Sequence, residues 1–168
     1  MASKIMEGKG WLSRQPEDFR VDLLRRCHLR HFPAGEVLYH AGDEAAGVFG
    51  LLEGGIELKL PSGNVGTIRT PGYWVGEAAA FRNAPRLATI AAKTSLHVFY
   101  LPMAEFRRLI SNAEYCRYFA LLTSEHLEEA LSVVENLWMG SAAARVCQRL
   151  LSLSVIDGDA RLATSNRF

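Results

Sequence analysis

Residues 72–89 run Gly72-Tyr-Trp-Val-Gly-Glu-Ala-Ala-Ala-Phe-Arg-Asn-Ala-Pro-Arg-Leu-Ala-Thr89. A turn glycine leads into a short apolar run, and Gly76-Glu77-Ala-Ala-Ala80 follows with the composition of a single helical turn at the end of a strand. The first N–H groups of such a turn have no intrahelical acceptor, and the local dipole favours an anion in front of them. Gly76 lets the backbone approach a ligand closely. Arg86 brings a planar, forked, permanently charged guanidinium that suits a phosphate. Glu77 is an acceptor suited to a hydroxyl. Leu87, next to Arg86, is bulky and offers no donor.

Outward from this segment the chain is β-rich between residues 32 and 102. Short runs, Val37–Tyr39, Val48–Leu52, Ile56–Leu60, Val65–Ile68, Leu87–Ala92 and Leu96–Leu101, alternate with turns such as Pro33-Ala-Gly35, Gly42-Asp43 and Gly54-Gly55. Ile56-Glu57-Leu58-Lys59-Leu60 alternates apolar and charged residues, as a half-buried strand does. Several short strands at close spacing predict an antiparallel sandwich or barrel.

Helices are expected on either side. Pro16, Glu17 and Asp18 suit the first turn of a helix over 16–31, with Phe19, Val21, Leu23 and Leu24 as its apolar contacts. Met103–Ile110 reads as a short helix and 115–138 as a long one. Gly140 then interrupts, and Ser141 can cap a third helix to about Leu153. The long helix carries two apolar stripes. One is Tyr115, Phe119, Leu122, His126, Ala130, Val133 and Leu137; the other is Leu127, Leu131, Val134 and Trp138. Two stripes need two surfaces. One is the chain's own β-domain, and the other is expected to be the same helix of a second subunit, in a two-fold homodimer.

Composition narrows the function classes. The chain has 168 residues, 49% hydrophobic and 22% charged, with net charge +1. That suits one soluble domain with a helical appendage and leaves no basic footprint for nucleic acid. Cys27, Cys116 and Cys147 form no C-x-x-C pair, so no metal or cluster site is expected. His28, His31, His40, His97 and His126 form no H-x-H or H-E-x-x-H pattern and are expected to be ordinary surface or half-buried side chains. Ser62-Gly63-Asn64 reads as a hairpin turn. Trp74 is expected to pack in the core or at the rim of the pocket. No catalytic constellation is visible, so the chain is not expected to be an enzyme. Without a signal peptide's apolar core or a run long enough to span a bilayer, a cytoplasmic protein is expected, with no membrane partner.

Gly72–Thr89, together with Phe32-Pro-Ala-Gly-Glu-Val-Leu38 and Ala41-Gly-Asp43, resembles the cyclic-nucleotide-binding domain, and in particular the catabolite-activator/FNR (Crp/Fnr) family of bacterial transcription regulators. The resemblance runs from about Gly10 to Ser154. It implies an α+β fold: an antiparallel β-roll (double-stranded jelly roll) flanked by helices, with a long C-terminal dimerisation helix. On that pattern, 1–113 is the β-roll with its N-terminal helix and 114–139 is the dimerisation helix. Residues 140–168 begin a C-terminal winged helix-turn-helix region that is truncated here. The implied function is effector sensing and dimerisation in a transcription regulator. The effector would be a cyclic nucleotide, cAMP or cGMP, or a related small molecule, and no other cofactor is implied.

The family gives Gly76, Glu77 and Arg86 the phosphate and ribose contacts. Ala78 stands where a larger apolar residue is common, and Leu87 where a small residue or a hydroxyl is common. The adenine-reading position of the best-known activator falls at Ala130-Leu131-Ser132, where Ser132 is the one available donor. Arg161–Phe168 resembles only the approach to the first DNA-binding helix, so DNA would be a partner only if a helix-turn-helix follows. The alternative is a stand-alone regulatory or scaffold domain, in which Glu77 and Arg86 form a structural ion pair, nucleotide binding is lost and DNA plays no part.

Overall fold

A computed structural model of the chain describes residues 10–63, 65–68 and 71–138. The elements run α1 (Gly10–Ser13), α2 (Glu17–Arg26), β1 (His28–Phe32), β2 (Val37–Tyr39), β3 (Gly47–Glu53), β4 (Ile56–Lys59), β5 (Val65–Ile68), β6 (Trp74–Val75), α3 (Glu77–Arg82), β7 (Thr89–Ala92), β8 (Leu96–Pro102), α4 (Met103–Ile110) and α5 (Ala113–Trp138). The strands form two four-stranded sheets, ordered β1-β8-β3-β6 and β2-β7-β4-β5. Every pairing is antiparallel. The expected jelly roll flanked by helices is the fold observed.

Two cores explain the sequence pattern. One lies between the sheets and includes Phe49, Leu51, Ile56, Ile90, Val98 and Tyr100. The other packs the outer face of the first sheet, through Val48, Leu52, Trp74, Phe99 and Leu101, against helical residues such as Phe19 and Phe119. Strand β3 serves both, which is why Val48–Leu52 is apolar without alternation and buried along its length. Ring contacts bind the helical layer together: Phe119 lies 5.0 Å from Phe106, 5.2 Å from Trp11 and 5.6 Å from Phe19, centroid to centroid. Trp11 Nε1 donates to the Tyr118 carbonyl at 2.9 Å, closing the chain's start onto α5. A buried ring so surrounded is worth about 3–5 kcal/mol against alanine.

The helix expected over 16–31 ends at Arg26. Cys27 is extended, with φ −83° and ψ 148°, and 28–32 form the edge strand β1, paired from His28↔Tyr100 to Phe32↔Leu96. Local propensity is overridden here by a distant partner, since β8 supplies the ladder and Tyr100 the ring under Arg30, 3.8 Å from its guanidinium carbon. Val21, expected to be an apolar contact of α2, is exposed. The short elements α1 and β6 are further additions to the sequence reading.

The chain divides into two compact units, one ending at Thr123 and the other beginning at Ser124. In the first, α5 contributes Tyr118, Phe119 and Leu122 to the core. In the second, the described residues are 124–138 of the same helix. There Leu127 is 59% and Leu131 58% exposed, with Val133 and Val134 exposed beside them. Gly140, the helix expected over 141–153 and the segment 161–168 lie outside the described residues. No described helix is long and apolar enough to cross a membrane.

Burial sets a pH signature. The Cys27 thiol, at the end of α2, is pushed up from 9.0 to about 12. The Tyr39 hydroxyl is pushed up from 10.0 to about 12, again by burial, with Arg86 opposing. Both folded values lie above the unfolded ones, so their contribution is complete below about pH 9. It is lost as the pH rises towards about 12, at roughly 1 kcal/mol per pH unit and group. Urea unfolding at pH 8, 9.5 and 11 is expected to show falling stability, with a shallower fall in Cys27→Ala.

Candidate functional site

The segment that opened the sequence reading wraps around one buried cation. Strand β6 ends at Val75, and Gly76 after it has a left-handed φ of 97°, a conformation open to glycine at little cost. A Cβ there would also strike the Arg86 guanidinium. Two independent constraints therefore fix glycine at this position. Helix α3 follows with Glu77 in its first turn and closes on Asn83, itself left-handed. The expected helical turn at 76–80 is thus present and extends to Arg82.

Arg86 is 4% exposed. Its Nη1 donates to the Gly76 carbonyl at 2.9 Å and its Nη2 to the Gly47 carbonyl. The guanidinium carbon sits 4.2 Å from the Tyr39 ring centroid. Burial pulls the guanidinium below its ordinary pKa, against which Tyr39, Tyr100, Glu77 and Asp43 act. The backbone is pinned as well. Arg86 N–H donates to the Asp43 carbonyl at 2.9 Å, and Gly42 N–H to the Arg86 carbonyl at 2.9 Å. Asp43 in turn accepts His40 N–H at 2.7 Å, and Thr89 Oγ1 accepts Ala41 N–H at 3.0 Å. The turn at 40–43 and the Pro85-Arg86 segment thus form one hydrogen-bonded unit.

Gly47 is small for a reason of its own. A Cβ there would meet the Leu101 carbonyl and the Tyr100 ring, so the strand can present its carbonyl to Arg86 only without a side chain. The neighbouring Ala46 carbonyl accepts both Tyr100 OH and Met103 N–H, each at 2.8 Å. The floor of the site is therefore joined to the first residue of α4.

Of the residues singled out in the sequence, Gly76, Glu77 and Arg86 come together. Glu77 is 3% exposed, and Ala78 is half-buried beside it. Leu87 is 60% exposed, so its bulk faces outward and does not plug the interior. Ser132 belongs to the second unit, on the exposed part of α5. Trp74 is fully buried in the outer core. Sequence reasoning missed Tyr39 and Gly47, because ring stacking on a distant cation and a strand carbonyl accepting from it leave no local signal.

The site suits an oxyanion on one further count. Arg86 Nε is buried without a hydrogen-bond partner, and such an orphan donor costs about 1–3 kcal/mol. An oxyanion oxygen would satisfy it. The opening turn of α3, with N–H groups that no helical carbonyl can reach, lies on the same short segment. Among the described residues, no three His, Cys, Asp or Glu side chains gather as a metal cage.

Comparison with known proteins agrees with this geometry. The cyclic nucleotide-binding domain model matches residues 29–113. The cAMP-activated global transcriptional regulator CRP of Haemophilus influenzae is 26% identical over 137 residues, covering 78% of this chain. The chain spans 61% of that regulator's length. A solved structure from Silicibacter pomeroyi DSS-3, described as a cAMP-binding regulatory protein, superposes with a TM-score of 0.61 at 27% identity, covering 90% of this chain and 72% of that one. The catabolite activator protein of Thermus thermophilus shares the fold, with a TM-score of 0.63 at 20% identity over 76% of this chain and 62% of its own. The chain belongs to the cyclic nucleotide-binding domain family.

Proposed function

We propose that this chain senses a cyclic nucleotide in its β-roll and dimerises through α5, as part of a regulator of the catabolite-activator type. The observation that carries the reading is Arg86, a buried guanidinium with an unsatisfied Nε at the glycine-led turn of α3. A cyclic phosphate would take Nε–H together with N–H groups of that turn, giving a charge-assisted contact in a low-dielectric setting. Glu77 would accept from the ribose hydroxyl. Ser132 is the proposed donor to the base. The outward position of Leu87 leaves the interior to the ligand.

The exposed stripe of Leu127, Leu131 and Val134 is the proposed dimer seam, at the spacing of a helix packed on its twin. In a longer protein with a helix-turn-helix beyond Phe168, effector binding would bias that seam and whatever follows it. A second reading rests on the same cation. The Gly76 and Gly47 carbonyls and the Tyr39 ring would also hold Arg86 as a strut, in a scaffold domain that binds no nucleotide.

Isothermal titration separates the two readings. Cyclic AMP or cyclic GMP is expected to bind in the micromolar range, and Arg86→Leu to weaken binding by at least about 100-fold, roughly 3 kcal/mol. Glu77→Gln, which keeps the side chain's shape, should weaken it less while the fold survives by circular dichroism. Absence of heat with both nucleotides would leave the scaffold reading. By sedimentation equilibrium the chain is expected to be a dimer, and Leu131→Glu a monomer. A monomeric parent chain would remove the seam.

A further inference from the structure

We propose that His31 and His97 form a two-histidine site for a borderline divalent transition ion, of the Zn2+, Ni2+ or Cu2+ class, at the solvent-exposed β1–β8 edge of the first sheet. The sequence gives no hint of it, since the two residues are far apart and in no ligand spacing. Strand register brings them together: His31 on β1 stands directly opposite His97 on β8. Their ring centroids are 4.7 Å apart and the planes are tilted by 38°. Directly opposed side chains on neighbouring strands can reach one ion with small rotamer changes.

Each ring has a polar neighbour that can orient it once an ion is bound. His97 Nδ1 lies 3.6 Å from Oε2 of Glu53, which is opposite it on β3. His31 Nε2 lies 3.0 Å from Ser95 Oγ. Second-shell partners of this kind fix the tautomer of a ligating imidazole and leave its other nitrogen as the donor atom. Here those donors are Nε2 of His97 and Nδ1 of His31. Imidazole is a good ligand for zinc, nickel and copper, and a poor one for magnesium or calcium. Because no three candidate ligands gather as a ready cage among the described residues, water completes the coordination shell and the site is open. The ion would tie β1, an edge strand, to β8.

Tag-free chain titrated with ZnCl2, NiCl2 and CuCl2, followed by calorimetry and by the Cu2+ visible band, is expected to bind one ion in the micromolar range. His31→Asn and His97→Asn should each weaken binding by at least about tenfold, and Glu53→Gln by roughly tenfold as the lost orienting contact predicts. His28→Asn, on the same strand but opposite Tyr100, should bind as the parent does. Circular dichroism confirms that each variant is folded. No binding by the parent chain, binding that survives His97→Asn, or an equal loss in His28→Asn would overturn the site.

Discussion

A buried guanidinium is expensive, and the structure around residues 40–47 and 76–89 is organised by the need to house one. Desolvation dominates the electrostatics of Arg86. The cost is offset by two carbonyl acceptors and an aromatic face, with Glu77 and Asp43 adding to the field. Each of these partners brings a constraint of its own. Gly76 must be left-handed and without a side chain. Gly47 must let its strand lie against Tyr100 and Leu101. The 40–43 turn must stay bonded to the Arg86 backbone. Replacing any one of them leaves the same charge buried with fewer partners, which is why the residues around it form a set.

How far the sequence disclosed this depends on the range of the interaction. The helical turn at 76–80, the six strands β2–β5, β7 and β8 and the helix after Pro102 were readable because turn glycines, alternation and helical spacing are local properties. Arg86 was readable as the candidate cation because a forked guanidinium suits a phosphate and the resemblance places that contact after Pro85. Residues 28–32 were misread as helix because their strand exists only through β8, and the apolar and basic residues of Cys27–Phe32 fit either state until the partner is known. Tyr39 and Gly47 were invisible for the same reason. Leu87 looked like an obstruction in sequence. In the structure Leu87 is 60% exposed while Arg86 beside it is buried.

The same logic explains the histidines. As a list, His28, His31, His40, His97 and His126 carry no ligand pattern. In space, the antiparallel register of β1 and β8 selects one pair and sets Glu53 beside it. Sheet register is a non-local property, so a site that depends on it cannot be seen as a motif. The exposed stripe on α5 lies at the other extreme. Its helical period is written in the sequence, and the structure adds that Leu127 and Leu131 are uncovered within the chain itself.

The contacts of Arg86 also bear on how occupancy would be felt elsewhere in the first unit. A ligand shifts an equilibrium only through contacts that differ between its states. On the proposed reading, a phosphate adds a partner at Nε beside the bonds that Nη1 and Nη2 make to the Gly76 and Gly47 carbonyls. Gly47 is one peptide from Ala46, whose carbonyl holds both the Tyr100 hydroxyl and the first N–H of α4. Strand β3 cannot take up slack at this point with a side chain, because Gly47 has none and the Leu101 carbonyl closes the space. On that reading, the Gly47–Ala46 peptide is the element through which a change in the bonds of Arg86 would reach α4. The route from site to helix is a covalent step and two hydrogen bonds, short enough to need no further element.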